Sequence, residues 1–193
     1  MLFSTQKAFF LPVEDEIARV LDSGLPASVN DAGPEYTGPV AHWRGERYGV
    51  VAGLVARDSG YELTQVICEL RPDGLWELRG GGGCGLLHHP ADRAGELWEG
   101  GRQVDWAAGV VLDGEAAARI GWARDDVARI EARVGDSTIA RVDIQPESPF
   151  GAFVIGLEPP ADAELVALDR DSNPILRSDG TVESFTVTTA DPF

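Results

Sequence analysis

The stretch ARIEARVGDSTIARVDI, residues 128–144, is the clearest structural pattern in this sequence. Apolar and charged residues alternate on both sides of Gly135-Asp136, which is typical of two β-strands joined by a tight turn. Further apolar segments follow at residues 153–157 and 165–168, and proline-rich and aspartate-rich breakers separate them. Four short strands at nearly regular spacing are typical of an antiparallel sandwich or barrel, and of these we predict an immunoglobulin-like sandwich in the C-terminal half.

Length and charge restrict the classes of function. A chain of 193 residues with 44% hydrophobic residues can bury one large β core or two small ones. The 32 acidic residues exceed the 16 basic residues, so the net charge is −16. This charge should repel nucleic-acid phosphates and anionic lipid head groups, although its ordinary role is solubility. We therefore expect neither a nucleic-acid partner nor a membrane partner.

The start of the chain and its cysteines predict a location. The first twelve residues contain one cation, Lys7, and only a few apolar residues lie between it and the acidic residues 14–16, which is too little for a signal peptide. The apolar run at residues 49–56 is too short to cross a bilayer. Cys68 and Cys84 are too few to suggest a disulfide framework. We expect a cytoplasmic protein with free thiols.

The first hundred residues predict one helix packed on a small antiparallel sheet. The helix is expected to begin near Pro12, to present a narrow apolar face and to stop at Gly24. Proline, glycine and polar residues then predict a loop over residues 25–39. Three strands joined by tight turns should form a meander whose first strand is central, at Tyr48–Arg57, residues 61–70 and residues 75–79.

The later part of the chain predicts further strands. Gly100-Gly101 suggests a boundary between an α+β region (residues 1–100) and a β-sandwich domain (residues 101–193), either separate or packed as one unit. Asp113-Gly114 indicates a hairpin between strands at residues 104–112 and 116–122. Residues 181–188 are rich in threonine and valine, which indicates a final edge strand. The predicted fold class is mainly β, or α+β.

Four turn-and-strand motifs mark the C-terminal part: G-x5-VARIE at residues 121–131, GD at 135–136, GAF at 151–153 and VALD at 166–169. Together they resemble the β-sandwich tail domain found in many uncharacterised actinobacterial proteins. The resemblance covers roughly the last seventy residues. It implies a sandwich fold and carries no assigned activity, so it bears on the fold and not on the function.

The most unusual local composition is GGGGCGLLHH, residues 80–89. Glycine amides there could hold an oxyanion, Cys84 could act as a nucleophile, and His88 or His89 could act as its base. That arrangement would suit acyl transfer. Glycine clusters more often form connecting loops, so the ordinary interpretation is a mobile connector without a ligand.

Two possible metal sites are incomplete in the sequence. Zinc would need the same cysteine and histidines together with Cys68 or His42, and no C-x2-C pair anchors such a site. The spacing of residues 169–173 resembles a calcium loop, but Pro174 and Gly180 stand where that loop needs Gly and Glu. We expect no metal and no cofactor, and a hairpin turn satisfied by its own polar side chains.

A histidine and a tryptophan follow the long predicted loop, where they could cap a cleft. Together with the glycine run they supply the candidate binding residues, which are His42, Trp43, Gly82, Gly83 and His89.

Three functions are compatible with the sequence. The leading hypothesis is a non-enzymatic cytosolic binding or protein-interaction module for an unknown protein or small molecule, since no known catalytic motif is present. The alternative is a small-molecule enzyme of the hydrolase or cyclase type, with a pocket near residues 80–89 and Cys84 and His88 as catalytic residues, aided by His42. The third is an acidic immunity-type or decoy protein that binds a basic partner. The sequence does not fix the oligomeric state.

Overall fold

The computed structural model of the chain describes residues 14–29, 36–57, 60–87, 103–144 and 151–188. Within these residues the chain forms one α-helix, one short 3-10 helix and eleven strands. The strands form three antiparallel sheets, so the fold is mainly β as the sequence predicts.

Helix α1 spans Asp15–Ser23 and the 3-10 helix spans Ala27–Val29. The strands are β1 Gly38–Arg44, β2 Tyr48–Arg57, β3 Gly60–Leu70, β4 Trp76–Leu87, β5 Val104–Leu112, β6 Ala116–Ala123, β7 Arg129–Val134, β8 Ser137–Asp143, β9 Ala152–Leu157, β10 Ala163–Leu168 and β11 Ser184–Val187.

The strand order is β1-β2-β3-β4 in the first sheet, β5-β6-β9 in the second and β11-β10-β7-β8 in the third. The predicted meander, the β5–β6 hairpin and the β7–β8 hairpin are confirmed. Two details of the first sheet differ from expectation. Strand β1 begins inside the stretch predicted as a loop, and β4 continues beyond residue 79 to Leu87. Of the predicted last strand, residues 181–188, only Ser184–Val187 pair as a strand, at the edge beside β10.

Helix α1 confirms the predicted helix, although its predicted start at Pro12 lies outside the described residues. Asp15 and Glu16 occupy its first turn, where the helix dipole favours negative charge. Gly24 ends the helix with φ 84°, a conformation that favours glycine. Val20 and Leu21 are buried against the first sheet, so the acidic side of the helix faces solvent.

The second sheet lies between the other two and is buried on both faces. Alternating residues of β9 show this arrangement, since Val154 joins the core shared with the first sheet while Phe153 and Ile155 join the core shared with the third. Strand β6 is buried along almost its whole length for the same reason. The described residues therefore form three stacked antiparallel sheets, with a first core between the first and second sheets and a second core between the second and third. A smaller third cluster lies between α1 and the first sheet.

The first core contains residues from both sides of the predicted domain boundary. Val40 and Leu54 of the first sheet pack in one cluster with Ile120 and Val154 of the second. The boundary itself, at Gly100-Gly101, lies outside the described residues. The division of the chain into two domains stays a prediction.

The turn between β5 and β6 is held against the first sheet by polar contacts. Tyr48 is only 1% exposed, and its hydroxyl donates a hydrogen bond to the carboxylate of Asp113 at 3.1 Å. Arg79 forms an ion pair with the same carboxylate at 2.9 Å. Arg47 pairs with Glu115 at 2.6 Å. Burial, followed by the bond to Asp113, raises the pKa of Tyr48 to about 12. These contacts fix the second sheet relative to the first.

A buried carboxylate anchors the end of the chain. Glu183 is 0% exposed, forms a 3.0 Å ion pair with Arg177, and accepts a hydrogen bond of 2.7 Å from the backbone N–H of Gln103. A buried charge needs such compensation to be tolerated. Glu183 thereby connects the segment before β11 to the start of β5.

Candidate functional site

A cleft of about 540 Å³ opens where the β1–β2 turn faces β8 and the end of β9. This volume lies within the range of about 300–1,000 Å³ that is usual for ligand pockets. We call it the main cleft. Its lining includes Trp43, Gly45, Glu46, Ile139, Gly156 and Glu158.

Trp43 forms one wall of the main cleft because a glycine receives its ring. A Cβ atom on Gly156 would lie only 2.0 Å from Cε2 of the indole, and a Cβ on Gly45 would lie 2.8 Å from its Cη2. Any side chain at residue 156 would therefore displace Trp43. The indole packs against the edge of the first core, which fixes its position.

Glu158 forms the floor of the main cleft and holds the β1–β2 turn. Its carboxylate accepts hydrogen bonds from the backbone N–H groups of Glu46 and Arg47, the second at 3.4 Å. The turn is also closed by the N–H of Gly45, which donates to the carbonyl of Tyr48 at 2.8 Å. The chain's own carboxylate thus satisfies amides that would otherwise face the cleft.

Ile139 supplies the exposed apolar surface of the main cleft. It lies on β8 and is 46% exposed, whereas its strand neighbours Ala140 and Val142 pack against the second core. Isolated exposed apolar residues are common on proteins. Ile139 differs because it lies in a concave site that the indole of Trp43 also lines.

A second, smaller cleft of about 140 Å³ continues along the same three strands. Its lining includes Val40 and His42 of β1, Val142 and Asp143 of β8, and Val154 of β9. Burial lowers the pKa of His42, so its imidazole is neutral at neutral pH. The two clefts follow one another between β1 and β8, and we call them together the β1–β8 groove.

The structure brings two of the predicted binding residues to this groove. His42 lines the small cleft and Trp43 lines the main cleft. Gly82 and Gly83 lie elsewhere, on the exposed part of β4 at the opposite edge of the first sheet. His89 lies outside the described residues.

The prediction that residues 80–85 form a connecting loop is wrong. They belong to β4 and pair with β3, with Gly81 opposite Val66 and Gly82 opposite Gln65. A Cβ on Gly81 would lie 2.6 Å from the carbonyl oxygen of Gln65, so β3 approaches the glycine backbone closely. Pairing along a long partner strand outweighs the poor strand preference of glycine.

The residues of the thiol mechanism do not all meet. His42 is on β1 and Cys84 is on β4, and these strands are the two edges of the first sheet. Three strand spacings separate them by about 14 Å, which puts His42 beyond hydrogen-bond reach of Cys84. The structure describes the backbone of Cys84 but not its side chain, and His88 is outside the described residues. The pairing of Cys84 with His88 therefore stays a prediction.

Within the described segments, no three His, Cys, Asp or Glu side chains are grouped to hold a metal ion. Cys68, which the zinc hypothesis included, is fully buried in the core beneath α1, and burial raises its pKa to about 12. The carboxylate of Asp169 accepts from the N–H groups of Asp171 at 2.9 Å and Asn173 at 2.8 Å. This is the self-satisfied turn that the sequence predicts there.

Sequence reasoning missed Ile139 and Glu158. The signal for Ile139 was available, because placing Ala140 and Val142 inward turns residue 139 outward, where an apolar residue is unexpected. Nothing in the sequence marked Glu158, since its partners are backbone amides more than a hundred residues earlier in the chain.

The helix in the described part of the chain is too short and too polar for a membrane span. Comparisons with protein-family models, with curated proteins and with solved structures found no match to this chain. The resemblance of residues 121–169 to the actinobacterial sandwich tail therefore remains a hypothesis.

Proposed function

We propose that this protein is a non-enzymatic binding module and that the main cleft is its binding surface. The observation that carries the proposal is the position of Ile139, an exposed apolar side chain that shares a cleft of ligand size with the indole of Trp43. Aromatic and apolar surface in a concave site gains free energy when a partner removes it from water.

The arrangement of β5 to β11 supports an immunoglobulin-like sandwich as the scaffold. An immunoglobulin constant-type domain has seven strands in two sheets of four and three, with its fourth strand beside its fifth. Here the seven strands divide into three and four, and the fourth, β8, pairs with the third, β7. We infer a variant of that sandwich in which no described strand pairs with the outer edge of the fifth strand, β9.

The two clefts lie along that outer edge of β9. Sandwich domains commonly carry recognition sites on loops and exposed edges, which is the type of position these clefts occupy. The fold and the cleft therefore support the same proposal.

The test is quantitative capture from cells that encode the protein, covering both proteins and small molecules. The wild type is compared with Ile139→Asp, which places a charge in the main cleft. The matched control is Leu75→Asp, since Leu75 is 64% exposed on the β3–β4 turn and lines neither cleft. We expect at least one component that the wild type and the control retain and Ile139→Asp loses by about tenfold or more.

The same experiment separates binding from the thiol mechanism. A Cys84→Ala variant should capture the same components as the wild type if binding occurs in the main cleft. Identical profiles for the wild type and Ile139→Asp would reject the main cleft as the binding surface. Components lost only with Cys84→Ala would favour the enzyme hypothesis instead.

A further inference from the structure

We propose that the β1–β8 groove binds an extended peptide segment that carries lysine or arginine next to an apolar side chain. This inference rests on the proposed function and names the class of partner. It combines the shape of the groove, the strand edges with which no described strand pairs, and the charge.

The shape of the groove fits an extended chain. It follows residues 40–44 of β1 and the turn after that strand, residues 139–143 of β8, and residues 152–157 of β9. The longest of these strand segments has six residues and measures about 20 Å, so the groove has the length of a short peptide in extended conformation. Such a shape favours a linear segment over a compact small molecule.

Each strand along the groove has one edge with which no described strand pairs. Within the described part of the chain, β1 pairs only with β2, β8 only with β7, and β9 only with β6. A strand whose second edge is unpaired presents backbone donors and acceptors that an added strand can use. Strand β8 is the most accessible of the three, since four of its seven residues, in addition to Ile139, are exposed.

The charge of the groove selects the partner. Three lining carboxylates, Glu46, Glu158 and Asp143, face one lining guanidinium, Arg44. Arg44 is already paired with Asp22 at 3.0 Å. Glu46 is exposed and has no ion-pair partner among the described residues. The groove is therefore acidic.

Two further guanidinium groups lie near the groove. Asp143 pairs with Arg129 at 2.7 Å, and Arg141 is exposed on β8 opposite Glu131. These two cations reduce the negative charge at the small cleft and leave the main cleft the more acidic part. Together with the net charge of −16, this distribution favours a cationic partner and opposes an anionic one.

The test uses a display library of random peptides of about six residues, the length that spans the groove. Peptides selected on the full chain are measured by fluorescence anisotropy against the wild type, Glu46→Lys and Ile139→Asp. The controls are Asp171→Lys and Leu75→Asp, which make matched changes at exposed residues outside both clefts.

We expect selected peptides to be enriched in lysine or arginine with an apolar residue. Ile139→Asp should weaken binding by about tenfold and Glu46→Lys by about threefold, while both controls retain it. Raising the salt concentration should weaken binding to the wild type and have less effect on Glu46→Lys.

The outcomes separate the two proposals. Neutral or acidic peptides that still depend on Ile139 would overturn the cationic partner and leave the main cleft as a binding surface. Cationic peptides that bind all five proteins equally would show attraction by net charge alone and overturn the groove as their site. A library that yields no binder, while capture from cells finds an Ile139-dependent small molecule, would overturn the peptide class.

Discussion

Replacing Gly156 by alanine tests how the wall of the main cleft is built. The new Cβ would lie 2.0 Å from Cε2 and 2.1 Å from Cδ2 of Trp43. Overpacking of this kind costs about 1–3 kcal/mol, and replacing a strand glycine returns about 0.5–1 kcal/mol. A 2.0 Å approach puts this clash at the upper end of the range, so we expect a net loss of about 2–2.5 kcal/mol in the free energy of unfolding, which lowers the Tm by about 4–10 °C for a chain of this size.

The matched control is Gly82→Ala. Gly82 also lies in a strand, but a Cβ there would have no atom within 4 Å. This change should leave stability unchanged or raise it by up to about 1 kcal/mol. Urea denaturation of both variants, monitored by far-UV circular dichroism, gives the two free energies of unfolding.

A double-mutant cycle identifies Trp43 as the cause. In the Trp43→Ala background the ring is gone, so Gly156→Ala should no longer destabilise the protein. Equal midpoints for Gly156→Ala and Gly82→Ala would refute the contact. If Gly156→Ala destabilises the Trp43→Ala variant as much as it destabilises the wild type, the indole of Trp43 is not the cause.

Three further predictions concern buried groups. Glu183→Ala should lower the free energy of unfolding by about 2–4 kcal/mol, because it leaves the partly buried Arg177 without its ion-pair partner. The control Glu164→Ala, at an exposed residue, should change that free energy by less than about 0.5 kcal/mol, and urea denaturation measures both. The pKa of Tyr48 is higher in the folded than in the unfolded protein, so the free energy of unfolding should fall as the pH rises from 10 to about 12. Tyr48→Phe should make this fall with pH less steep in alkaline denaturation. In a Cys84→Ala background, Cys68 should react with a thiol reagent only after unfolding, as absorbance would show.

Local patterns predicted the elements whose apolar residues face one core. The β7–β8 hairpin follows from alternation around Gly135-Asp136, and α1 follows from its apolar face and Gly24. In both cases the spacing of apolar residues over a few neighbouring positions is sufficient to identify the strand or helix.

The arrangement of the sheets was not predictable in the same way. Strand β6 is buried on both faces, and only the positions of the first and third sheets explain its small apolar residues. The glycine run of β4 is a strand because β3 pairs with it, which glycine propensity opposes. Both outcomes depend on residues distant in sequence.

The candidate site shows the same division. His42 and Trp43 attracted attention through residue type, and Ile139 could have been found from the alternation of β8. Glu158 could not, because its role depends on the β1–β2 turn reaching the end of β9. Sequence patterns therefore identify single wall residues, while the cleft itself arises from contacts between sheets.

Backbone amide chemical-shift mapping shows where on the protein a cationic peptide binds. Isotope-labelled wild-type protein is titrated with the strongest cationic peptide from the library, and the shifts are followed for residues 43–46, 139–143 and 156–158. We expect the largest changes on these three segments, and Ile139→Asp should need about ten times more peptide to reach half of the full change. Changes concentrated on β4 or on the turn at residues 169–174 would rule out the β1–β8 groove as the site.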